Sequence, residues 1–94
     1  MSDTKAVNAV ISGKVQGVWF RAWTEEQARK RGLAGWVRNR SDGTVEALFA
    51  GPAEKVDDMV KACHQGPPHA RVAGVAVTPA SFPRGEGFEQ RSTY

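Results

Sequence analysis

Cysteine is scarce in this sequence: Cys63 is the single cysteine among 94 residues, so no internal disulfide can form. The chain also lacks an apolar run near the ~20 residues that a membrane-spanning helix requires. Residues 1–5 lack the order of basic and then apolar residues that secretory signals have. These absences predict a cytoplasmic protein with no membrane partner.

Acidic residues are scarce in one third of the chain. Between Lys14 and Arg40 lie seven of the 13 basic residues, opposed by Glu25 and Glu26, so this third carries +5 and the remainder −2. Such a segment attracts small anions or a phosphate backbone. For residues 29–31 we prefer the alternative that they are solvated helix charges.

The composition is that of one globular domain. Hydrophobic residues make up 40% of the chain and charged residues 24%, a balance typical of folded proteins. A length of 94 residues suffices for one compact domain and no more. We therefore expect a single domain over residues 1–94, flexible at residues 1–5, and by default a monomer.

Several segments are typical of strands, through alternation or β-branched composition. They are Ala6–Gly13, Trp36–Arg40, Thr44–Ala50, the segment marked by Val72, Val75 and Val77, and a short last strand over Phe88–Tyr94. Residues 41–43, Ser-Asp-Gly, predict a tight hairpin between the second and third of these strands, because Asp-Gly supplies the positive φ that such a turn needs.

Two segments are typical of helices. The first runs from about Arg21 to Arg31, and we expect Phe20 and Trp23 to support the core or the loop. The second opens at Gly51-Pro52 and ends at Gly66-Pro67-Pro68. It carries an apolar stripe at i, i+3, i+4 and i+7, formed by Val56, Met59, Val60 and Cys63.

The order β-α-β-β-α-β predicts a ferredoxin-like α/β sandwich of the α+β class. We expect an antiparallel sheet of four to five strands with both helices on one face. The first and third strands are expected to be parallel neighbours through a right-handed crossover. This fold hosts enzymes, RNA binders and metal carriers, so it does not decide the function.

The segment from Gly13 to Arg21 is a glycine-bracketed loop between a strand and a helix. Backbone N–H groups at a helix start have no helical acceptors, and where they converge they bind anions. Gly13 and Gly17 allow the required dihedrals, and Arg21 offers a planar fork of donors to a phosphoryl group. The Gly-Lys-Ser/Thr ending of a nucleotide-binding P-loop is missing. These residues alone do not decide between an anion site and a tight turn with a surface arginine.

Two motifs resemble the signatures of the acylphosphatase family. The first, an aliphatic residue, any residue and then Gly-x-Val-Gln-Gly-Val-x-Phe-Arg, is complete over residues 11–21. The second, Gly-Trp-Val-x-Asn followed by Asp-Gly-x-Val-Glu and a closing Gly, is complete over residues 35–51. Residues 66–72 and 88–91 are also similar to family segments. The resemblance covers nearly the whole chain and implies a metal-independent hydrolase of acyl phosphates, with inorganic phosphate as product and no cofactor.

The resemblance also implies a role for each site residue. Arg21 and the loop amides bind the phosphoryl group, and Asn39 positions a water. The amides belong to the phosphate-binding loop, whose residues are Val15, Gln16, Gly17, Val18, Trp19 and Phe20. Two places depart from the family's pattern: residues 62–64, where many relatives carry a Trp, and Gln90, where an aliphatic residue is usual. We expect both to affect packing and neither to touch the site.

The chemistry of an acyl phosphate agrees with these roles. Its leaving group is a carboxylate whose conjugate acid has a pKa of roughly 4 to 5, so it departs without a general acid. Phosphoryl transfer asks mainly for positioning and charge stabilisation, and one preorganised donor can contribute ~3 kcal/mol. Asn39 does not titrate near neutrality but can orient a water. Without the signature, we would interpret Asn39 as a cap of the 41–43 turn.

Other candidate sites are weak. His64 and His69 are five residues apart with Cys63 nearby, which matches no standard zinc pattern. We interpret Cys63, on the apolar stripe, as a core residue and not as a nucleophile.

One alternative function is an RNA-binding module, but residues 44–49 carry an acid and one Phe where paired aromatics are required, so we expect no nucleic-acid partner. Another is an acylphosphatase-like regulatory or carbamoyl-phosphate-handling domain, which occurs in larger proteins.

Overall fold

Residues 3–93 are described by a computed structural model, which contains five strands and two helices in this range. In chain order the elements are β1 (Thr4–Lys14), α1 (Phe20–Lys30), β2 (Ala34–Asn39), β3 (Val45–Pro52), α2 (Ala53–Cys63), β4 (Arg71–Pro79) and β5 (Phe88–Gln90). The predicted α+β class and element order, with a short terminal strand, are confirmed.

The five strands form one mixed sheet in the order β4-β1-β3-β2-β5. β3 returns from β2 through a hairpin and lies between β1 and β2, antiparallel to both. The prediction that the first and third strands are parallel was therefore wrong: they are neighbours but antiparallel, and β1 is parallel to β2, from which β3 separates it. The sheet is not wholly antiparallel either, since β5 pairs with β2 in parallel.

The ends of the sheet differ from the predicted bounds. β1 begins at Thr4 because its first residues find partners in β3, with Lys5 opposite Gly51. Thr4 and Lys5 thus lie in the sheet, although flexibility was expected for residues 1–5, of which 1 and 2 lie outside the described residues. β5 is shorter than the predicted strand because its ladder covers only residues 35–37 of β2. Tyr94, the predicted end of that strand, lies outside the described residues.

The hydrophobic core lies between one face of the sheet and the two helices. α1 packs on β2 and β5, α2 packs on β1 and β3, and the helices contact each other, so both helices cover one face as predicted. Val56, Met59 and Cys63 of the predicted stripe are fully buried, and Val60 packs against the core from a half-buried position. Burial of a large apolar side chain contributes about 1.5–3 kcal/mol.

The hairpin between β2 and β3 carries Asn39 to the end of the sheet. Arg40 N–H donates to the Thr44 carbonyl at 2.9 Å, and Gly43 N–H donates to the Arg40 carbonyl at 3.1 Å. Gly43 has φ 93°, the left-handed conformation expected for this turn. Asp42 Oδ1 accepts from Thr44 N–H at 3.0 Å and from Thr44 Oγ1 at 2.6 Å, and these bonds lower the pKa of Asp42.

Candidate active site

The loop between β1 and α1 leaves several backbone donors without acceptors. α1 begins at Phe20 with Trp19 as its N-cap, and neither a side-chain cap nor an acidic residue occupies its first turn. Within residues 3–93, the amides of residues 16–19 donate no hydrogen bond, and the first amides of a helix have no helical acceptor. The loop therefore offers several N–H donors together with the positive end of the helix dipole.

Two valines anchor this loop in the core. Val15 is 1% exposed and Val18 is 5% exposed, and both belong to the hydrophobic core. Gly17, between them, has φ 73°, which lets the chain reverse without strain. The buried valines fix the loop at both ends, so the donors between them are held in a defined conformation.

A cavity of about 440 Å³ brings the predicted catalytic residues together. Its lining includes both Arg21 and Asn39, although 17 positions separate them in the sequence. The remaining lining residues are Val15, Gly17, Trp19, Phe20, Ala22 and Gln90. Of the six predicted loop residues, four therefore line the cavity. Gln16 and Val18 do not, since Val18 is buried in the core and Gln16 binds the hairpin.

Arg21 differs from the arginines around it. Arg29, Arg31 and Arg38 each pair with a carboxylate at 2.7–2.9 Å. Among residues 3–93 Arg21 has no carboxylate partner, and its Nη1 donates a long hydrogen bond of 3.4 Å to the Arg91 carbonyl. A half-buried guanidinium without a counter-ion, in a cavity beside free amides, is suited to bind a phosphoryl group.

Asn39 ends β2 with its side-chain amide free. Its backbone pairs with Val45 of β3, and within the described range its side chain has no hydrogen-bond partner. The alternative that Asn39 caps the turn is not observed, since Asp42 and Thr44 make the side-chain bonds there. Both the carbonyl oxygen and the NH₂ group of Asn39 are therefore available to a water in the cavity.

Gln16 and Gln90 have contacts that the sequence did not reveal. Gln16 Nε2 donates to the carbonyls of Arg40 and Thr44 in the hairpin. Gln90 lines the cavity and donates from Nε2 to Glu25 Oε1 at 2.9 Å, so the prediction that it does not touch the site was wrong. The reason is the parallel pairing of β5 with β2, which brings the strand end beside the site and which the sequence pattern did not indicate.

Other depressions in residues 3–93 lack Arg21 and Asn39, among them one of about 520 Å³ over α1. Two depressions of about 630 and 660 Å³ adjoin the loop over residues 81–87, and neither contains Arg21 or Asn39. No group of three His, Cys, Asp or Glu side chains in this range could hold a metal ion. Cys63 is buried as predicted, and burial raises its pKa to about 12. The helices of the same range are all too short or too polar to span a membrane.

The fold and cavity describe a small α+β protein with a candidate anion site at a loop–helix junction. A family model described as acylphosphatase matches residues 7–90. An acylphosphatase of Rhodospirillum rubrum is 62% identical over 81 residues, which are 86% of this chain and 89% of that protein. The chain therefore belongs to the acylphosphatase family, as the two motifs predicted.

Solved structures agree with this assignment. The structure of an acylphosphatase from Coxiella burnetii matches with a TM-score of 0.90 and 31% identity, covering 95% of this chain and 94% of that one. The acylphosphatase from Bacillus subtilis matches with a TM-score of 0.87 and 37% identity, covering 95% and 99%. These matches confirm the predicted fold, and the family makes the chain a hydrolase of acyl phosphates.

Proposed function

We propose that this chain hydrolyses the carboxyl–phosphate bond of acyl phosphates with the phosphoryl group on Arg21 and the loop amides, and with a water oriented by Asn39. The observation that carries the proposal is the cavity that the two side chains share. Arg21 has no carboxylate partner within residues 3–93, and the Asn39 amide has no partner in the same range. The Arg21 guanidinium is therefore available to the phosphoryl group, and the Asn39 amide is available to the water.

The phosphoryl group is held by charge and by directed donors. The equatorial oxygens of a phosphoryl group carry the negative charge of a loose transition state. Free amides of the loop and the Arg21 guanidinium donate to those oxygens from a loop that Val15 and Val18 anchor in the core. Because the donors are fixed before the substrate binds, little reorganisation opposes the reaction.

Asn39 and the leaving group complete the reaction without an acid or a base from the protein. Asn39 accepts from and donates to one water, and so sets its direction of attack on phosphorus. The water forms a new P–O bond while the bond between phosphorus and the carboxylate oxygen breaks. The carboxylate leaves with the bonding electron pair, and we assign the proton of the water to an oxygen of the phosphoryl group. The products are a carboxylate and inorganic phosphate.

The test is hydrolysis of benzoyl phosphate by the purified chain and by Arg21→Ala and Asn39→Ala. We expect each variant to lose at least ~10²-fold in kcat, as single donors of this kind do elsewhere. Arg21→Ala is also expected to weaken competitive inhibition by inorganic phosphate, whereas Asn39→Ala leaves that inhibition unchanged. Arg84→Ala, on the exposed loop outside the cavity, is the matched control. Full activity in either site variant would contradict its assigned role.

Metal independence is part of the proposal and has its own test. The carboxylate leaves without help from a Lewis acid, and Arg21 with the loop amides stabilises the charge that a metal ion would otherwise stabilise. We expect turnover to be unchanged in excess EDTA and not to increase when Mg²⁺ is added back. Loss of turnover in EDTA with recovery on metal addition would contradict this part alone.

We further propose that the enzyme works as a monomer in the cytoplasm and does not bind nucleic acid. Cys63 is a free thiol, as is usual in a reducing compartment. Phe49, the aromatic residue of the third strand, is 0% exposed and stacks on Phe88, so it cannot stack on a base. Light scattering during size-exclusion chromatography checks the oligomeric state, and a dimer mass would contradict it.

A further inference from the structure

We propose that Trp19 is a specificity-determining residue, whose exposed indole contacts the acyl group and favours aromatic or large apolar acyl phosphates. The inference rests on the proposed function, because it takes the phosphoryl group to lie at Arg21 and the loop amides. It goes beyond that function by naming the chemical class of the acyl group and the side chain that selects it.

The position of Trp19 is the first observation. It lines the same cavity as Arg21 and Asn39. Its neighbours in the chain, Val18 and Phe20, are 5% and 2% exposed, whereas Trp19 is 80% exposed. The loop therefore buries the residues on either side and turns its largest apolar side chain outward at the mouth of the site.

The backbone of Trp19 is the second observation. Trp19 has φ 66° and ψ 23°, and it is the one non-glycine residue with positive φ within residues 3–93. This left-handed conformation is strained for a residue with a Cβ. An exposed indole contributes little burial to offset that strain. Stability therefore does not explain a tryptophan here, whereas contact with a ligand does.

The rest of the cavity wall is the third observation. The polar groups of the cavity wall are Arg21, Asn39, the loop amides and Gln90, and all but Gln90 have an assigned role. Val15 and Phe20 are 1% and 2% exposed, so they present almost no surface, and Ala22 is small. Trp19 is thus the large apolar surface on the wall. The acyl group lies outside the phosphate loop, and an indole favours an aromatic partner in offset or edge contact.

The experiment compares two substrates that share the phosphoryl group. For Trp19→Ala we expect the ratio of kcat/KM on benzoyl phosphate to kcat/KM on acetyl phosphate to fall about tenfold, the size of one aromatic contact. Trp19→Phe keeps a ring and is expected to retain most of the benzoyl preference. Because Trp19 also gives a backbone amide to the loop, inhibition by inorganic phosphate is measured in each variant to separate an effect on the phosphoryl group from an effect on the acyl group.

Phe82→Ala is the matched control, because Phe82 is an aromatic residue 54% exposed outside this cavity. It should change kcat/KM for neither substrate.

If Trp19→Ala fails to fold by circular dichroism, Trp19→Gly replaces it, since glycine suits the left-handed backbone. Equal losses on both substrates, or no loss on benzoyl phosphate, would overturn the inference; the second result would point to a protein-docking role. A parent inactive on both substrates would overturn the proposed function instead.

Discussion

The side chain of Gln16 joins the loop between β1 and α1 to the hairpin that follows Asn39. Its Nε2 donates to the Arg40 carbonyl at 2.7 Å and to the Thr44 carbonyl at 2.9 Å. These two carbonyls lie at the base of the hairpin, and Arg40 directly follows Asn39 in the chain. One amide group therefore connects the 15–20 loop, to which we assign the phosphoryl group, with the hairpin beside Asn39, to which we assign the water.

The first prediction follows from these two hydrogen bonds. Gln16→Glu replaces the NH₂ donor by a carboxylate, which accepts only and faces two carbonyl oxygens. We expect kcat to fall on the order of 10²-fold, since small misplacements of reacting groups are this costly. Inhibition by phosphate should also weaken, because the new carboxylate on this loop repels the anion, so kcat is compared at saturating substrate. Kinetics with benzoyl phosphate and inorganic phosphate measure both quantities.

A double-mutant cycle tests whether Gln16 acts by positioning Asn39 or by a general effect on the stability of the fold. If Gln16 acts by placing Asn39, then Gln16→Glu should cost little further activity in an Asn39→Ala background. Gln65→Glu, the same change at an exposed site after α2, should leave kcat unaltered. Equal losses from Gln16→Glu in both backgrounds would show that Gln16 does not act through Asn39.

The second prediction concerns the close approach of β2 and β3 at Gly35, which pairs with Phe49. Gly35 has φ 139°, and a Cβ there would lie 1.8 Å from the Leu48 carbonyl oxygen. Gly35→Ala is therefore expected to lower the unfolding free energy by more than ~3 kcal/mol. Gly32→Ala is the matched control, since Gly32 has φ 68° but open space around it, and we expect a loss of ~1 kcal/mol. Urea denaturation of both variants checks this, and similar losses would contradict it.

Local sequence patterns predicted the elements well, because each depends on neighbouring residues. The 41–43 turn and the stripe on α2 arise from residues close in the chain, and the structure confirms both. Strand direction depends on where β3 lies relative to β1, a non-local choice that the pattern did not determine. The same holds for Gln90, whose place in the cavity depends on β5 pairing with β2. The family motifs indicated Arg21 and Asn39, but not the hydrogen bonds from Gln16 to the hairpin that follows Asn39.

The third prediction concerns acid stability through Glu46. Burial raises the pKa of Glu46, but hydrogen bonds from Asn8 at 3.0 Å and Arg38 at 2.8 Å outweigh it, and the net pKa is lowered. A pKa lower in the folded than in the unfolded chain stabilises the fold above the unfolded value, near ~4.3 for Glu. That stability is lost as the pH falls through the folded pKa.

Urea denaturation between pH 7 and pH 3 measures this dependence. We expect Glu46→Gln to be less stable than the parent at pH 7 and to lose less stability on acidification. The pKa of Asp42 is lowered chiefly by the Thr44 hydroxyl. Asp42 therefore contributes to the pH dependence of the unfolding free energy in both proteins. Glu86→Gln, on the exposed 81–87 loop, should follow the parent. Parallel pH curves for the parent and Glu46→Gln would contradict the assignment.

The fourth prediction concerns the buried hydroxyl of Thr24 on the inner face of α1. Thr24 is 0% exposed, and its Oγ1 has no hydrogen-bond partner in the range 3–93. An unsatisfied buried hydroxyl costs about 1–3 kcal/mol, and a methyl group of the same shape removes that cost. Thr24→Val should therefore raise the unfolding free energy by about 1 kcal/mol, and Tm by ~4–8 °C for a domain of this size. Thr93→Val, at an exposed site after β5, should leave Tm unchanged. A lower Tm for Thr24→Val would show that the hydroxyl is satisfied in solution and that its removal breaks a bond.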